Sequence, residues 1–99
     1  MTYRLRYSDH ALHDIDRLYD YLLVHDREIA RRAYEAIIKA AEVLREFPFT
    51  GRKLSSEDSL LRELLVPFGS SGYVMLFEIE DAETVTILAI RHQREDDYH

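Results

Sequence analysis

Two apolar segments near the C-terminus, Tyr73 to Glu80 and Thr84 to Arg91, do most to limit what this chain can fold into. The first alternates, with Val74, Leu76 and Glu78 on one face and Met75, Phe77 and Ile79 on the other. A repeat of two residues belongs to a strand, because successive Cβ atoms point to opposite sides of the pleat. The short polar link Asp81-Ala82-Glu83 makes the pair a hairpin. Directly after it come His92, Arg94, Glu95 and Tyr98: an imidazole, a guanidinium, a carboxylate and a phenol at one end of the sheet.

The N-terminal half is helical in pattern. Tyr3-Arg4-Leu5-Arg6-Tyr7 alternates and reads as a short strand, and Ser8 is placed to cap the helix that follows. Ala11, Ile15, Leu18 and Leu22 recur at helical spacing, widened by Leu12, Tyr19 and Leu23, as far as His25-Asp26. A second helix spans Arg27 to Phe47, with Ala30, Ala33, Ile37, Ala40, Leu44 and Phe47 along one seam. Its alanines allow a neighbouring helix to approach closely, and the seam reads as the core of a helical hairpin. Glu35 lies four residues from both Arg31 and Lys39, and Pro48 stops the helix. A loop follows to Ser59, then a strand from Leu60 to Val66, ended by Pro67 and Gly69. Two helices covering one apolar sheet face predict a single α+β domain over residues 1–99, in the order βααβββ.

Charge narrows the partner. The net charge is −6, but residues 1–54 sum to +1 and residues 55–99 to −7. Nonspecific nucleic-acid binding relies on a surplus of clustered cations, which this chain lacks, so no direct DNA binding is expected and a protein partner fits better. With no cysteine, disulfides and thiolate chemistry are excluded. No apolar run is long enough for a signal peptide or a membrane span, so a cytoplasmic location without membrane contact is expected.

Several residue groups invite a chemical reading. RNA cleavage needs a base for the 2′-hydroxyl, a cation for the phosphorane and an acid for the leaving oxygen. The tail holds all three types, although spacing alone favours a merely solvated terminus. Arg62 interrupts an apolar strand. Facing solvent, it would be a contact residue; facing inward, it must find a carboxylate, with Glu95 the expected one. His10 and His13 have metal-like spacing, yet nothing completes a ligand set. Asp9, Asp14 and Asp16 around them read as solvated surface, and neither a metal nor a cofactor is expected. Three glycines cannot supply a phosphate-binding loop.

The ordered set Tyr7-Ser8, Asp14-Ile15, Phe47-Pro48-x-x-Gly51-Arg52, Leu61-Arg62-Glu63-Leu64, Gly72-Tyr73 and Ile90-x-His92-x-Arg94-Glu95 resembles the RelE/ParE toxin superfamily across nearly the whole chain. The resemblance implies a two-helix hairpin packed on one face of a small antiparallel sheet. It also implies the toxin of a type II toxin–antitoxin (plasmid-stabilisation) module. RelE-like members cut messenger RNA on the ribosome and usually carry Arg just after the Gly-Tyr pair, with basic residues on the preceding strand. Here Val74 follows Tyr73, and Glu63, Leu64 and Leu65 stand on that strand. ParE-like members instead poison DNA gyrase through protein contacts.

The chain is more similar to the ParE-like branch, so no catalytic residues are expected; His92, Arg94 and Tyr98 would serve the ribonuclease alternative. A toxin fold without toxicity is a third reading. The resemblance also implies a cognate ParD-like antitoxin, bound in a toxin–antitoxin hetero-oligomer. Partner contacts are expected at Arg27, Arg31, Arg32, Lys39, Arg62 and Arg94, where the first four could steer an acidic antitoxin helix.

Overall fold

The computed structural model describes residues 2–55, 57 and 60–95. Along the chain run β1 (Arg4–Tyr7), α1 (Asp9–Leu23), α2 (Arg27–Val43), a 3₁₀ turn (Pro48–Thr50), β2 (Arg52–Lys53), β3 (Leu61–Phe68), β4 (Ser71–Ile79) and β5 (Thr84–His92). Ser8 caps α1 as expected, its Oγ accepting the Ala11 amide at 3.0 Å. Asp26 does the same for α2, its carboxylate accepting the Glu28 and Ile29 amides at 2.9 and 3.2 Å. These caps satisfy amides that the first helical turn leaves without a partner.

The second helix is shorter than its pattern suggests. It ends at Val43, and the amides of Leu44, Arg45 and Glu46 reach back only three residues. That tightened turn rotates the seam, so Ala41 and Leu44 are fully buried while Phe47 is 57% exposed. Pro48 then keeps the helix from resuming, since it forces Phe47, the residue before it, out of helical backbone.

The sheet has the order β1-β5-β4-β3-β2. It is antiparallel except that β1 lies parallel to β5, because the helical hairpin carries the chain across one face before the β2–β5 meander begins. The two-residue β2 fell in the expected loop; it is too short to show alternation. Strand β3 also runs past the expected stop, to Phe68. Pro67 sits opposite Gly72 on a stretch of β3 that β2 does not reach, and there a missing amide costs the sheet nothing. Gly69 has φ of 62° while no other described residue has positive φ, so Gly69-Ser70 makes a type II′ hairpin turn.

Both helices cover one sheet face, α1 over β5 and α2 over β3. Met75, Phe77, Val85, Ile87, Ile90 and Leu44 are fully enclosed between the layers. The expected faces of β4 hold, with Tyr73, Met75, Phe77 and Ile79 toward the helices. Strand β5 contains a bulge: Leu76 pairs with Ala89 but Phe77 with Ile87, so Leu88 is extra. Ile87 and Ile90, three apart, therefore both face the core. The bulge is held from α1. The Ser8 amide donates to the Ile87 carbonyl (2.9 Å), the Ser8 hydroxyl donates to the Leu88 carbonyl (3.0 Å), and Asp14 accepts the Ile90 amide (2.8 Å).

Candidate functional site

A cleft of about 630 Å³ opens where the C-terminal half of α1 faces the β3–β4 turn and the end of β5. Arg17, Leu18, Tyr21 and Leu22 form one wall; Phe68, Gly69, Ser70, Ser71 and Tyr73 form the other, and His92, Arg94 and Glu95 close the end. The bulge in β5 sets this up, for it turns His92 to the helix side, where its ring meets Tyr73 edge-on at 5.6 Å. Burial pushes the Tyr73 phenol above its ordinary pKa, so it stays neutral.

After His92 the chain turns sharply and is tied down. The Arg94 amide donates to His92 Nδ1 at 3.1 Å, and the His92 amide donates to the Glu95 carboxylate at 2.9 Å. Arg91 reaches round to the Glu95 carbonyl at 2.7 Å, and Arg17 holds the Glu95 carboxylate at 3.3 Å. Arg17 also lies 3.6 Å from Asp14, which His10 approaches at 3.3 Å. A line of charge thus runs from α1 to the terminal turn. Asp14, expected on the solvated surface, is only 4% exposed. The signal was present, for Asp14 falls between Ala11 and Leu18 on the buried stripe, where a carboxylate must have partners.

The ring contacts of His92 select one tautomer. Nδ1 accepts an amide hydrogen, so in the neutral ring the proton sits on Nε2, 3.1 Å from the Ser71 hydroxyl.

The residues singled out from sequence are scattered. Arg94 and His92 meet at the cleft; Tyr98 lies outside the described residues. Arg27, Arg31, Arg32 and Lys39 are exposed along α2. Arg31 is bonded to Glu28 and Glu35, and Arg32 to Glu28, which lowers the pKa of Glu28 and raises that of Arg31. Arg62 corrects an expectation twice. It does not reach Glu95, because the register sets Arg62 beside Phe77 whereas Glu95 follows His92, which lies beside Tyr73 at the other end of β4. Nor is it available to a partner surface: it is 8% exposed, donating to the Phe49 and Gly51 carbonyls at 3.1 and 2.7 Å under the Phe49 ring. On the outer face, Val74 is buried between Leu65 and Arg91, and Glu63 is paired with Arg52 at 2.9 Å. Among the described residues no group of three or more His, Asp or Glu is arranged to hold a metal, and no helix is long and apolar enough to cross a membrane.

The family model for the ParE toxin of the type II toxin–antitoxin system parDE matches residues 5–97. The chain belongs to the ParE toxin family. Curated relatives include Toxin RelE3 of Caulobacter vibrioides, 35% identical over 86% of this chain and 88% of that protein. Toxin RelE1 of the same organism is 32% identical over 80% of this chain and 82% of its own length. A solved structure described as the chromosomal ParDE system from P. aeruginosa superposes with a TM-score of 0.72 at 24% identity, covering 92% of this chain and 96% of that one. The fold seen here is that of a ParE-family toxin.

Proposed function

We propose that this ParE-family toxin arrests growth in the cytoplasm by binding DNA gyrase, with no chemistry of its own, and is neutralised by a ParD-like antitoxin. The state of His92 carries the non-catalytic part. A ribonuclease of this superfamily needs a base and a cation cluster, and His92 spends Nδ1 on the Arg94 amide. The missing cations support the same reading. Val74 stands where the cutting branch places Arg, and on the preceding strand Glu63 adds a carboxylate already answered by Arg52. Losing even one preorganised donor costs about 10²–10³ in rate.

For the antitoxin, the α2 surface remains the favoured dock, with a changed balance of forces. Arg31 and Arg32 already face Glu28 and Glu35, which leaves Arg27 and Lys39 as the α2 cations outside any ion pair among the described residues. Steering is therefore modest, and apolar anchors such as Ile29, Tyr34 and Val43, each more than two-fifths exposed, carry the affinity.

The ribonuclease reading retains one supporting observation, that His92 and Arg94 share a cleft. Supercoiling by purified gyrase with this protein added, run beside a ribosome-primed cleavage assay, separates the two. Inhibited supercoiling with intact RNA is expected. RNA cleavage that disappears in Arg94→Ala or His92→Ala would overturn the proposal.

A further inference from the structure

We infer that the α1–β4 cleft is a binding site for a small-molecule carboxylate with an aromatic body. The inference begins with the direction of a hydrogen-bond chain. The Arg94 amide donates to His92 Nδ1, so Nε2 carries the ring proton and donates to Ser71 Oγ. Ser71 is then an acceptor on one side and keeps its own hydrogen to give. Among the described residues no acceptor meets that hydrogen, and Ser71 lines the cleft. The chain of donors therefore points outward into the cavity.

Its surroundings match an anion. Arg17 and the His92 amide both bind Glu95 Oε1, so the charge of the carboxylate in the wall is partly offset. Arg94 forms no ion pair among the described residues and lines the same end of the cleft. Beyond the Glu95 carboxylate, which Arg17 and the His92 amide already engage, a polarised hydroxyl beside a guanidinium leaves this end richer in donors than in acceptors, and a carboxylate ligand supplies a further acceptor. The rest of the cavity is apolar and aromatic, built from Leu18, Leu22, Phe68 and the edge-on Tyr73. A volume of about 630 Å³ falls within the range of small-molecule sites. An anionic head and a flat apolar body fit such a cavity together. The site lies on the helix side of the sheet, away from Val74, and does not depend on whether gyrase is the target.

The test uses N-acetyl-phenylalanine and its uncharged primary amide as probes of the full chain, followed by amide shifts of Gly69, Ser70 and Ser71 in NMR titrations. The acid should bind with a dissociation constant of about 1 mM, as expected for a ligand of this size, and the amide at least about tenfold more weakly. Ser71→Ala should weaken the acid about tenfold, and Ser71→Thr, which keeps the hydroxyl, should restore it. Nitrogen shifts of the His92 ring should report the Nε2-protonated form. Equal binding of acid and amide, no loss in Ser71→Ala, shifts mapping elsewhere, or a ring proton on Nδ1 would each overturn the inference.

Discussion

Asp14 is the residue whose removal should tell most about how this toxin holds together. Its carboxylate is buried, takes the Ile90 amide at 2.8 Å, and sits 3.3 Å from His10 and 3.6 Å from Arg17. In Asp14→Ala the Ile90 amide is left buried without an acceptor, which costs about 1–3 kcal/mol. The contacts with His10 and Arg17 add less than about 1 kcal/mol each, since those side chains are 49% and 40% exposed. A total of about 1–5 kcal/mol corresponds to a melting temperature lower by about 4–40 °C for a domain of this size. Asp14→Asn keeps an oxygen for Ile90 and loses only the charge, so it should cost about 1–2 kcal/mol. Thermal melts by circular dichroism give the sizes, and hydrogen exchange at Ile90 shows whether the loss is local to the bulge. If Asp14→Ala shifts stability by less than about 0.5 kcal/mol, as an ordinary surface change does, the account of the α1–β5 clamp is wrong.

Burial, with Glu42 and Tyr34 nearby, pushes the Tyr7 phenol up to about 12 from its ordinary 10.0. The fold favours the neutral phenol, so its contribution is whole below pH 10 and lost as pH rises through about 12. Urea midpoints should fall across that window, and Tyr7→Phe should flatten the fall. Arg62→Ala strips the buried Gly51 carbonyl and the half-buried Phe49 carbonyl of a donor and should cost about 1–3 kcal/mol; Arg62→Lys should restore only part, since an ammonium lacks the guanidinium fork. A melting temperature unchanged in Arg62→Ala would contradict the buried placement. Gly51→Ala would set a methyl 2.5 Å from the Phe77 ring at ordinary backbone angles, an overpacking of about 1–3 kcal/mol. Phe77→Leu in the same chain should relieve part of it, and a simple sum of the two single losses would refute direct contact.

Much of this fold can be read from residues whose environment is decided locally. Ser8 caps α1 because a hydroxyl before an apolar-periodic run has one obvious partner, and the alternating face of β4 is set by the pleat itself. What escaped reading depends on contacts distant in the chain. The stripe places Asp14 inward, but its partner, the Ile90 amide, is a backbone group on a strand at the far end of the sequence and could not be named from it. Arg62 was matched with Glu95 because the carbonyl oxygens of Phe49 and Gly51, in and just after the 3₁₀ turn, leave no mark in a side-chain pattern. The cleft escaped for the same reason, since only folding brings Arg17 and Ser71 to His92. The apolar run Ile87-Leu88-Ala89-Ile90 hid the bulge, for a slipped register looks like any buried strand.

That extra residue acts as a parity setting for everything downstream. In an uninterrupted β5, Val85 and Ile87 would be followed on the helix side by Ala89 and Arg91, and His92 would face the opposite surface. Leu88 inverts the count, sending Arg91 outward and His92 inward. A one-residue deletion between Phe77's partner and His92 would therefore exchange two chemically unlike surfaces while leaving the amino-acid composition nearly untouched. Insertions of two would preserve them. Engineered chimaeras of this family should be spliced with that even–odd rule in mind, since a graft that matches residue for residue in type but differs by one in length presents the wrong side of the strand.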